Sequence, residues 1–223
     1  MPVEANIALS RYVFKRPVRI AVASKNTLQG VAMPRLFVAL RPPPPIRDML
    51  LDLDDDGVPG ARWQDDEQLH LTLRFIGDVE RPQAEDIAAS LAAVHAPAPV
   101  LRLAGVGQFD RRGRTDSLWA GVAPREPLSH LHRKVDQACV RAGMVPEGRA
   151  FLPHITVARI PRSHGGSPAI PAWLARHAGL SSEPFACAHL VLYQSFLDRD
   201  AARYEPVMRW ALEPAIMEPR SPD

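Results

Sequence analysis

The 223-residue chain contains few cysteines and no long hydrophobic run. Cys139 and Cys187 are its only cysteines, whereas a disulfide scaffold or a four-cysteine zinc site needs more. No segment approaches the roughly 18 consecutive apolar residues of a membrane-spanning helix, and the N-terminal segment lacks the apolar run of a secretory signal. We therefore expect a cytoplasmic protein with no disulfide framework and no membrane partner.

Three common catalytic or nucleotide-binding motifs are also missing. The chain has no Gly-x-Ser-x-Gly elbow, no Walker loop and no Gly-x-Gly-x-x-Gly sequence. These absences argue against a serine hydrolase of the elbow type, a P-loop NTPase and a dinucleotide-binding domain.

Positive charge is scarce outside the N-terminal segment. The net charge is +2, but residues 1–32 hold five basic residues and one acidic residue, so residues 33–223 have a net charge of −2. A protein that follows a long phosphate backbone needs a basic stripe. If the chain binds nucleic acid, we therefore expect it to bind a terminus or a single phosphate.

The composition is that of a globular protein, with 46% hydrophobic and 23% charged residues. Residues 1–32 show no periodicity and are predicted to be a disordered basic extension. Residues 33–212 are predicted to form a single domain, and the proline-rich residues 213–223 a disordered tail. We expect this protein to be a monomer.

Hydrophobic periodicity predicts alternating strands and helices. Residues 69–76 alternate, which places Leu69, Leu71, Leu73 and Phe75 on one face of a strand and His70, Thr72 and Arg74 on the other. Apolar residues at helical spacing predict a helix over residues 127–142, with Gly143 as its stop. The order strand, helix, strand, helix, strand occurs twice, which favours two similar halves that meet face to face.

Two tetrapeptides of the same form carry the candidate chemistry. They are His70-Leu71-Thr72-Leu73 and His154-Ile155-Thr156-Val157, and they lie 84 residues apart. Residues i and i+2 of a strand share a face, so each tetrapeptide places an imidazole beside a hydroxyl. One such motif is most simply a packed histidine, but two in corresponding positions of similar halves predict a shared cleft.

This set of side chains suits acid–base catalysis at a phosphate. Displacement at phosphorus needs one group to accept a proton and another to donate one, and imidazole titrates near neutral pH. Threonine hydroxyls can donate hydrogen bonds to phosphate oxygens, and an arginine can neutralise their charge. Because the neighbours of both histidines are threonines rather than metal ligands, we expect neither a metal nor another cofactor.

With their flanking residues, the two motifs resemble the 2H phosphoesterases, most of all their RNA 2′,3′-cyclic phosphodiesterase branch, historically called 2′-5′ RNA ligases. The similar segments are Arg35–Leu40, Arg62–Trp63, Leu69–Gly77, Phe151–Arg159 and Leu192–Ser195. The resemblance implies a bilobal α+β fold in which two pseudo-symmetric antiparallel-sheet lobes with outer helices surround a central cleft. It also implies metal-independent hydrolysis of RNA 2′,3′-cyclic phosphate ends, or of small cyclic nucleotides, to 2′-phosphomonoesters.

By the family's pattern, His70 is the general acid and His154 the general base, while Thr72, Thr156 and Arg159 hold the phosphate. Arg159 lies five residues after His154, so an unbroken strand would direct it to the opposite face. Either a bulge, a twist or the strand end redirects Arg159, or Arg74, which is in phase with His70, takes its place.

Phe37 and Phe151 are further candidate substrate-binding residues, because aromatic rings stack on nucleobases in single-stranded RNA sites. Core packing is the alternative for both rings. Two other functions also fit the motifs. One is 2′-5′ ligation of RNA through the reverse reaction, and the other is binding of RNA ends without catalysis.

Overall fold

A computed structural model describes residues 33–54, 57–197 and 202–215. The predicted extension, residues 1–32, lies outside the described residues, as do residues 216–223 of the predicted tail. The strands are β1 (Arg35–Leu40), β2 (Arg62–Trp63), β3 (Leu71–Asp78), β4 (Val100–Arg111), β5 (Arg114–Ala123), β6 (His154–Arg159), β7 (Phe185–Ala186), β8 (His189–Leu197) and β9 (Ala202–Ala211). The helices are α1 (Pro44–Leu51), α2 (Arg81–Ala92), α3 (Glu126–Arg141), α4 (Ala169–His177) and a 3-10 helix at Asp66–Gln68.

Helix α3, which has 16 residues, carries sequence signals for both its start and its end. Pro127 lies in its first turn, where the missing N–H group costs no helical hydrogen bond, and Glu126 there complements the helix dipole. Arg141 occupies the last turn, and Gly143 follows with a φ of +85°, a conformation that glycine adopts without strain. The helix predicted over residues 127–142 is thus confirmed. None of the described helices is long and apolar enough to cross a membrane.

The described strands form one nine-stranded sheet in the order β7-β4-β5-β6-β3-β1-β8-β9, with β2 paired to β6. The paired strands run antiparallel to one another. Outward from the centre, the first lobe contains β3, β1, β8 and β9, and the second lobe contains β6, β5, β4 and β7. The predicted α+β fold with two antiparallel lobes is confirmed, but the lobes are not consecutive halves of the chain, because β8 and β9 return to pair beside β1.

The lobes meet edge to edge, and not face to face as the repeated order of elements suggested. A single residue pair, Leu71 with Ile155, joins β3 to β6. Continued by one residue on each side, an antiparallel register places His70 opposite Thr156 and Thr72 opposite His154. The joint between the lobes therefore passes through the centre of the two His-x-Thr motifs.

The two faces of the sheet are packed differently. One face carries the main hydrophobic core, in which Leu71 and Ile155 pack with apolar residues of the helices such as Ile87 and Leu128. On the opposite face of the first lobe lies a small separate cluster of Phe37, Ala39, Val191 and Tyr193, against which Tyr204 packs. Because His70 and Thr72 alternate with the core residue Leu71, they project from the face away from the helices.

The start of the predicted tail is ordered. Glu213 forms a parallel bridge with Pro97, and its backbone exchanges hydrogen bonds with Ala96 and Ala98. The predicted boundary at residue 213 is thus too early, since a backbone pairing more than 100 residues away in sequence holds this residue.

Candidate active site

Both predicted motifs contribute to one cleft of about 830 Å³ at the joint between the lobes. His70, Thr72, His154 and Thr156 all line it, as their spacing predicted. The central pairing of Leu71 with Ile155 explains this convergence, since the residues on either side of each leucine or isoleucine face the same side of the sheet.

Each imidazole is oriented by a carbonyl two residues earlier in the chain. His70 Nδ1 lies 2.6 Å from the Gln68 carbonyl oxygen, and His154 Nδ1 lies 2.8 Å from the Leu152 carbonyl oxygen. A carbonyl oxygen only accepts hydrogen bonds, so we assign the proton to Nδ1 in both rings. In the neutral state, Nε2 of each histidine is then left with a free lone pair for proton transfer.

His70 lies in an aromatic environment. Its ring centroid is 4.8 Å from that of Phe37, 5.1 Å from that of Tyr204 and 6.1 Å from that of Tyr193. Burial lowers the pKa of His70 to about 4, and the positive charge of Arg159 acts in the same direction, while the hydrogen bond to Gln68 opposes both. His70 is therefore neutral at pH 7 when the cleft holds no anion.

His154 has a comparable but less enclosed environment. Its ring lies edge-on to Phe109, with centroids 4.8 Å apart, and 6.2 Å from Trp119. Burial lowers the pKa of His154 as well, and Arg159 adds to this effect, while the hydrogen bond to Leu152 opposes it. Both histidines thus have a pKa below the ordinary imidazole value, mainly because their rings are shielded from water.

A bulge in β6 brings Arg159 into the cleft. Leu118 of β5 pairs with Ala158, but the next residue, Trp119, pairs with Thr156, so Val157 is an extra residue in β6. Val157 and Ala158 are consequently both buried, and Arg159 returns to the face of the histidines. Of the two alternatives for the phosphate-binding arginine, the redirected Arg159 is the one consistent with the geometry. Its side chain is 52% exposed, and Nη1 lies 3.9 Å from the Asp116 carboxylate.

A matching bulge in β3 turns Arg74 away from the histidines. Val38 of β1 pairs with Arg74, but the next residue, Ala39, pairs with Thr72, which leaves Leu73 as the extra residue. The Arg74 side chain is only 6% exposed; its Nε lies 2.9 Å from Asp136 Oδ1 and its Nη1 lies 2.8 Å from Glu147 Oε2. The alternative in which Arg74 binds the phosphate is therefore wrong, because Arg74 borders the cleft with its charge already paired.

The same bulge also changes the position of Phe75. Strict alternation predicts this ring in the core with Leu71 and Leu73, yet Phe75 lines the cleft and is 56% exposed. No local signal in the strand predicts the change of phase, because the bulge is defined only by the pairing with β1. Phe75 is the cleft residue that the sequence pattern assigned to the wrong face.

Neither predicted base-stacking phenylalanine presents a free ring face to the cleft. Phe37 borders the cleft but is only 3% exposed, because it stacks on Tyr193 with centroids 5.2 Å apart and supports His70. Phe151 stacks on His132 with centroids 4.2 Å apart and is not among the residues that line the cleft. Both rings are thus engaged in packing, the alternative that the sequence left open.

Within residues 33–54, 57–197 and 202–215, no group of three or more His, Cys, Asp or Glu side chains is arranged to hold a metal ion.

Other residues at the cleft come from elements that the motifs did not indicate. These further residues are Arg35, Gln64, Phe109, Val145, Arg149, Ser195 and Tyr204. Three of these seven residues are aromatic or aliphatic, and two are arginines, so the walls combine apolar surface with positive charge.

Comparisons with known proteins point to one family. The sequence model of the 2′-5′ RNA ligase superfamily matches residues 42–198. An RNA 2′,3′-cyclic phosphodiesterase of Aeropyrum pernix is 32% identical over 150 residues, which cover 67% of this chain and 84% of that protein. An RNA 2′,3′-cyclic phosphodiesterase of Geobacillus stearothermophilus is 34% identical over 157 residues, 70% of this chain, and the match spans about half (49%) of that relative's length.

The fold agrees with these sequence relationships. A crystal structure of E. coli LigT complexed with 3′-AMP is similar with a TM-score of 0.64 at 26% identity, covering 81% of this chain and 98% of the LigT chain. The similarity therefore extends over nearly the whole of a solved structure that holds a nucleotide.

Proposed function

The chain belongs to the 2′-5′ RNA ligase superfamily, and on that premise we propose that it is an enzyme that hydrolyses RNA 2′,3′-cyclic phosphate ends to 2′-phosphomonoesters. One observation carries the proposal. Two histidines, each oriented through Nδ1 by a backbone carbonyl, line the same cleft and leave both Nε2 atoms for proton transfer. The relatives of this chain from Geobacillus stearothermophilus and Aeropyrum pernix are RNA 2′,3′-cyclic phosphodiesterases, which supports this choice of substrate.

The cyclic phosphate lies between the two motifs in this proposal. The hydroxyl groups of Thr72 and Thr156 donate hydrogen bonds to the non-bridging oxygens, one from each lobe. Arg159, which the bulge in β6 directs into the cleft, neutralises the negative charge that grows on these oxygens.

The reaction then needs only two proton transfers. His154 Nε2 accepts a proton from water as the water oxygen bonds to phosphorus, and the bond between phosphorus and the 3′ oxygen breaks. For this step His70 must be an imidazolium, protonated on both nitrogens while the phosphate anion is bound, and its Nε2 donates a proton to the departing 3′ oxygen. The product is a 2′-phosphomonoester with a free 3′ hydroxyl, and the two histidines regain their starting states by exchanging protons with solvent.

One observation favours the opposite assignment of the histidines. Because the pKa of His70 is lowered to about 4, this ring is neutral near pH 7 and is equipped to act as the base. A phosphodiester with a p-nitrophenyl leaving group distinguishes the two assignments, since such a leaving group needs no proton. Replacement of the acid by alanine leaves much of the hydrolysis of this compound intact, whereas replacement of the base does not.

Product identification from one defined oligoribonucleotide with a 2′,3′-cyclic phosphate end tests the function. We expect conversion to the 2′-phosphate, with the same rate in the presence of EDTA, and loss of turnover in His70→Ala and His154→Ala. A 3′-phosphate product, or a requirement for added metal, would contradict the proposal. Formation of 2′-5′ linked RNA would support ligation instead, and tight binding without turnover would support an RNA-end binding protein. The monomeric state and cytoplasmic location stay predictions from the sequence.

A further inference from the structure

Next to the cleft, the hairpin between β4 and β5 forms a small pocket of about 190 Å³ with positively charged walls. Asp116 lines this pocket and lies 3.9 Å from Arg159, which lines the cleft, so the two sites adjoin. The cations of the pocket are Arg111, Arg112, Arg114 and Arg162. We infer that this arginine pocket binds phosphodiester groups of the RNA chain next to its reacting end. The inference rests on the proposed function and extends it from the cyclic phosphate to the chain that carries it.

Strand β4 connects the catalytic histidines to the arginine pocket. Phe109 of β4 lines the cleft, and its ring lies edge-on to His154 with centroids 4.8 Å apart. The extra residue at this point of the hairpin is Asp116 of β5, whereas β4 keeps its alternation. Arg111 therefore lies on the same face as Phe109, about 7 Å further along the strand. An RNA chain that leaves the cleft along β4 reaches the arginine pocket directly.

The hairpin holds positive charge that the protein leaves unneutralised. Arg111 pairs directly with Arg114 across the two strands, an arrangement in which like charges repel. Among the residues that the structure describes, none of the four arginines forms an ion pair with a carboxylate, and Arg114 Nη1 donates to the Arg162 carbonyl oxygen at 3.2 Å. The neighbouring carboxylate of Asp110 accepts hydrogen bonds from uncharged side chains instead. A bound anion would relieve this repulsion.

A second arginine-lined pocket provides a contrast. It is lined by Arg41, Arg47 and Arg209. Arg41 and Arg47 each place a guanidinium nitrogen 2.6 Å from a carboxylate oxygen of Asp66, so much of the positive charge of this second pocket is neutralised within the protein. An anionic chain is therefore attracted more strongly to the hairpin than to the second pocket.

The tip of the hairpin carries an arginine where the backbone favours another residue. Arg112 and Gly113 connect the paired residues, with φ of +54° and +73°, as in the two-residue turns that favour Asn-Gly. Arg112 is the one non-glycine residue with this left-handed φ in the described part of the chain, and its Cβ makes the conformation strained. Strained residues of this kind are concentrated at functional sites. An exposed cation at the tip is thus present despite the backbone, and a ligand-binding role accounts for it.

The segment that follows β6 fixes the backbone of the arginine pocket. The Thr115 N–H donates a 2.9 Å hydrogen bond to the Gly165 carbonyl oxygen, and a Cβ on Gly165 would lie 2.5 Å from the Thr115 carbonyl oxygen. Only a glycine allows this close approach. Together with the hydrogen bond from Arg114, it holds Arg162 beside the hairpin. Because the pocket backbone is fixed beforehand, little ordering of the backbone is needed when an anion binds.

A phosphodiester backbone is the ligand that fits this pocket. Guanidinium groups bind phosphate oxygens with paired hydrogen bonds, and each nucleotide of an RNA chain supplies one such group. The lining contains no aromatic ring on which a base could stack, so we expect contacts to the backbone without preference for sequence. Four arginines form a cluster and not a long stripe, so the contacts extend to the few phosphates nearest the reacting end.

Steady-state kinetics with a short and a long substrate tests the arginine pocket. The substrates are adenosine 2′,3′-cyclic phosphate and a five-nucleotide oligoadenylate that ends in a 2′,3′-cyclic phosphate. For the double variant Arg111→Ala/Arg112→Ala we expect KM for the oligoadenylate to rise about tenfold, with kcat within about twofold of wild type. The kcat/KM for the adenosine compound changes by less than about twofold. The plot of log kcat/KM against log salt concentration for the oligoadenylate becomes shallower by about 1.4, since two phosphate contacts are lost.

A second double variant is the matched control. Arg125→Ala/Arg133→Ala removes the same charge from two exposed arginines, one just before α3 and one within it, which line neither the cleft nor the arginine pocket. We expect both substrates to keep their KM within about twofold.

Arg112→Asn separates RNA binding from stability. Asparagine suits the left-handed turn, so the melting temperature of this variant should equal or exceed that of wild type. The KM for the oligoadenylate should nevertheless rise severalfold, because one cation is lost. A KM equal to that of wild type would overturn the role assigned to Arg112.

The outcomes distinguish the arginine pocket from the proposed function. Equal rises in KM for the oligoadenylate in the two double variants, or equal losses with both substrates in Arg111→Ala/Arg112→Ala, would overturn the pocket while wild-type hydrolysis upholds the function. Fluorescence anisotropy with a labelled pentaadenylate that ends in a 3′ hydroxyl measures binding without catalysis. Weaker binding by Arg111→Ala/Arg112→Ala than by wild type supports the pocket, even if wild type opened neither cyclic phosphate and the proposed function failed. Equal binding by the two proteins would overturn the pocket.

Discussion

The two His-x-Thr strands have the same backbone design but different side chains beyond the motif. In β3 and in β6, a bulged residue follows the threonine, and the residue five positions after the histidine returns to the cleft face. That residue is Phe75 in the first lobe and Arg159 in the second. The residue before it is buried in both lobes, as Arg74 in one and Ala158 in the other.

The pseudo-symmetry of the two lobes determines where these side chains lie, and the residue types determine what each of them can do. Each lobe supplies one imidazole and one hydroxyl at equivalent places. The second lobe adds a cation suited to the phosphate. The first lobe adds an exposed aromatic ring, and its own arginine is paired with Asp136 and Glu147. The enclosure of the two histidines also differs, with rings of Phe37, Tyr193 and Tyr204 around one histidine and of Phe109 and Trp119 around the other.

The largest effect is expected from the part that the lobes share. His70→Ala and His154→Ala should each lower kcat for a cyclic phosphate by about 10²–10⁴, since each removes one proton-transfer group. The double variant should lose less than the product of the two factors, because the groups act on one transition state. Circular dichroism spectra matching wild type serve as the control. Loss in only one single variant would show that the lobes do not share the chemistry.

Arg159 is the first test of the difference between the lobes. Arg159→Ala should lower kcat/KM by about 10²–10³, because a cation at the growing phosphate charge is lost. Asp116→Asn is the matched control, since it removes only the 3.9 Å ion pair, and we expect its kcat/KM to stay within about twofold of wild type. Comparable losses in the two variants would assign Arg159 a structural role.

The lowered pKa of His70 predicts a pH-dependent contribution to stability that His70→Gln removes, while the lowered pKa of His154 leaves part of the pH dependence in the variant. The folded pKa of about 4 lies below the ordinary value of 6.5, so folding favours the neutral ring. This contribution is fully present above pH 6.5 and is lost as the pH falls toward 4, by about 3 kcal/mol in the free energy of unfolding. Urea unfolding at pH 7 and at pH 4 measures it. If His70→Gln lost as much stability as wild type between these pH values, the aromatic enclosure of His70 would not carry the effect.

The threonines should give the smallest and most equal effects. Thr72→Val and Thr156→Val keep the shape of each side chain and remove one hydroxyl donor to the phosphate. We expect each to lower kcat/KM about tenfold, the value of one hydrogen bond to a charged group. A loss of similar size in both variants supports equivalent positions across the Leu71 and Ile155 pair, whereas an effect in one lobe alone would break the symmetry at this level.

Much of the fold and the centre of the site follow from local sequence. The spacing of apolar residues predicts α3 and most of the strands, and the short distance from histidine to threonine places each pair on one face of its strand. These features need only the neighbouring residues, since a period of 2 or 3.6 is a property of the local backbone. The prediction that both motifs share a cleft came from their equivalence in two similar halves.

Errors arise where a strand changes phase. Phe75 and Arg74 were assigned to the wrong faces because strict alternation was assumed through a bulge. For Arg159, the sequence showed the problem, since five residues after His154 is the wrong phase, but it left several solutions open. Phe37 was a candidate for base stacking, and only its packing on Tyr193 shows that its ring is covered.

The sequence by itself determined the chemistry that is available, namely two imidazole and hydroxyl pairs on strands. Its resemblance to a known family implied the α+β architecture of antiparallel lobes. Tertiary structure alone decided which strands form each lobe, where the bulges lie, and hence which arginine and which aromatic ring enter the cleft. The reason is that register depends on hydrogen bonds to strands distant in sequence, such as β1 for β3 and β5 for β6. A shift of one residue in that pairing exchanges the buried and exposed faces, and no local pattern records it.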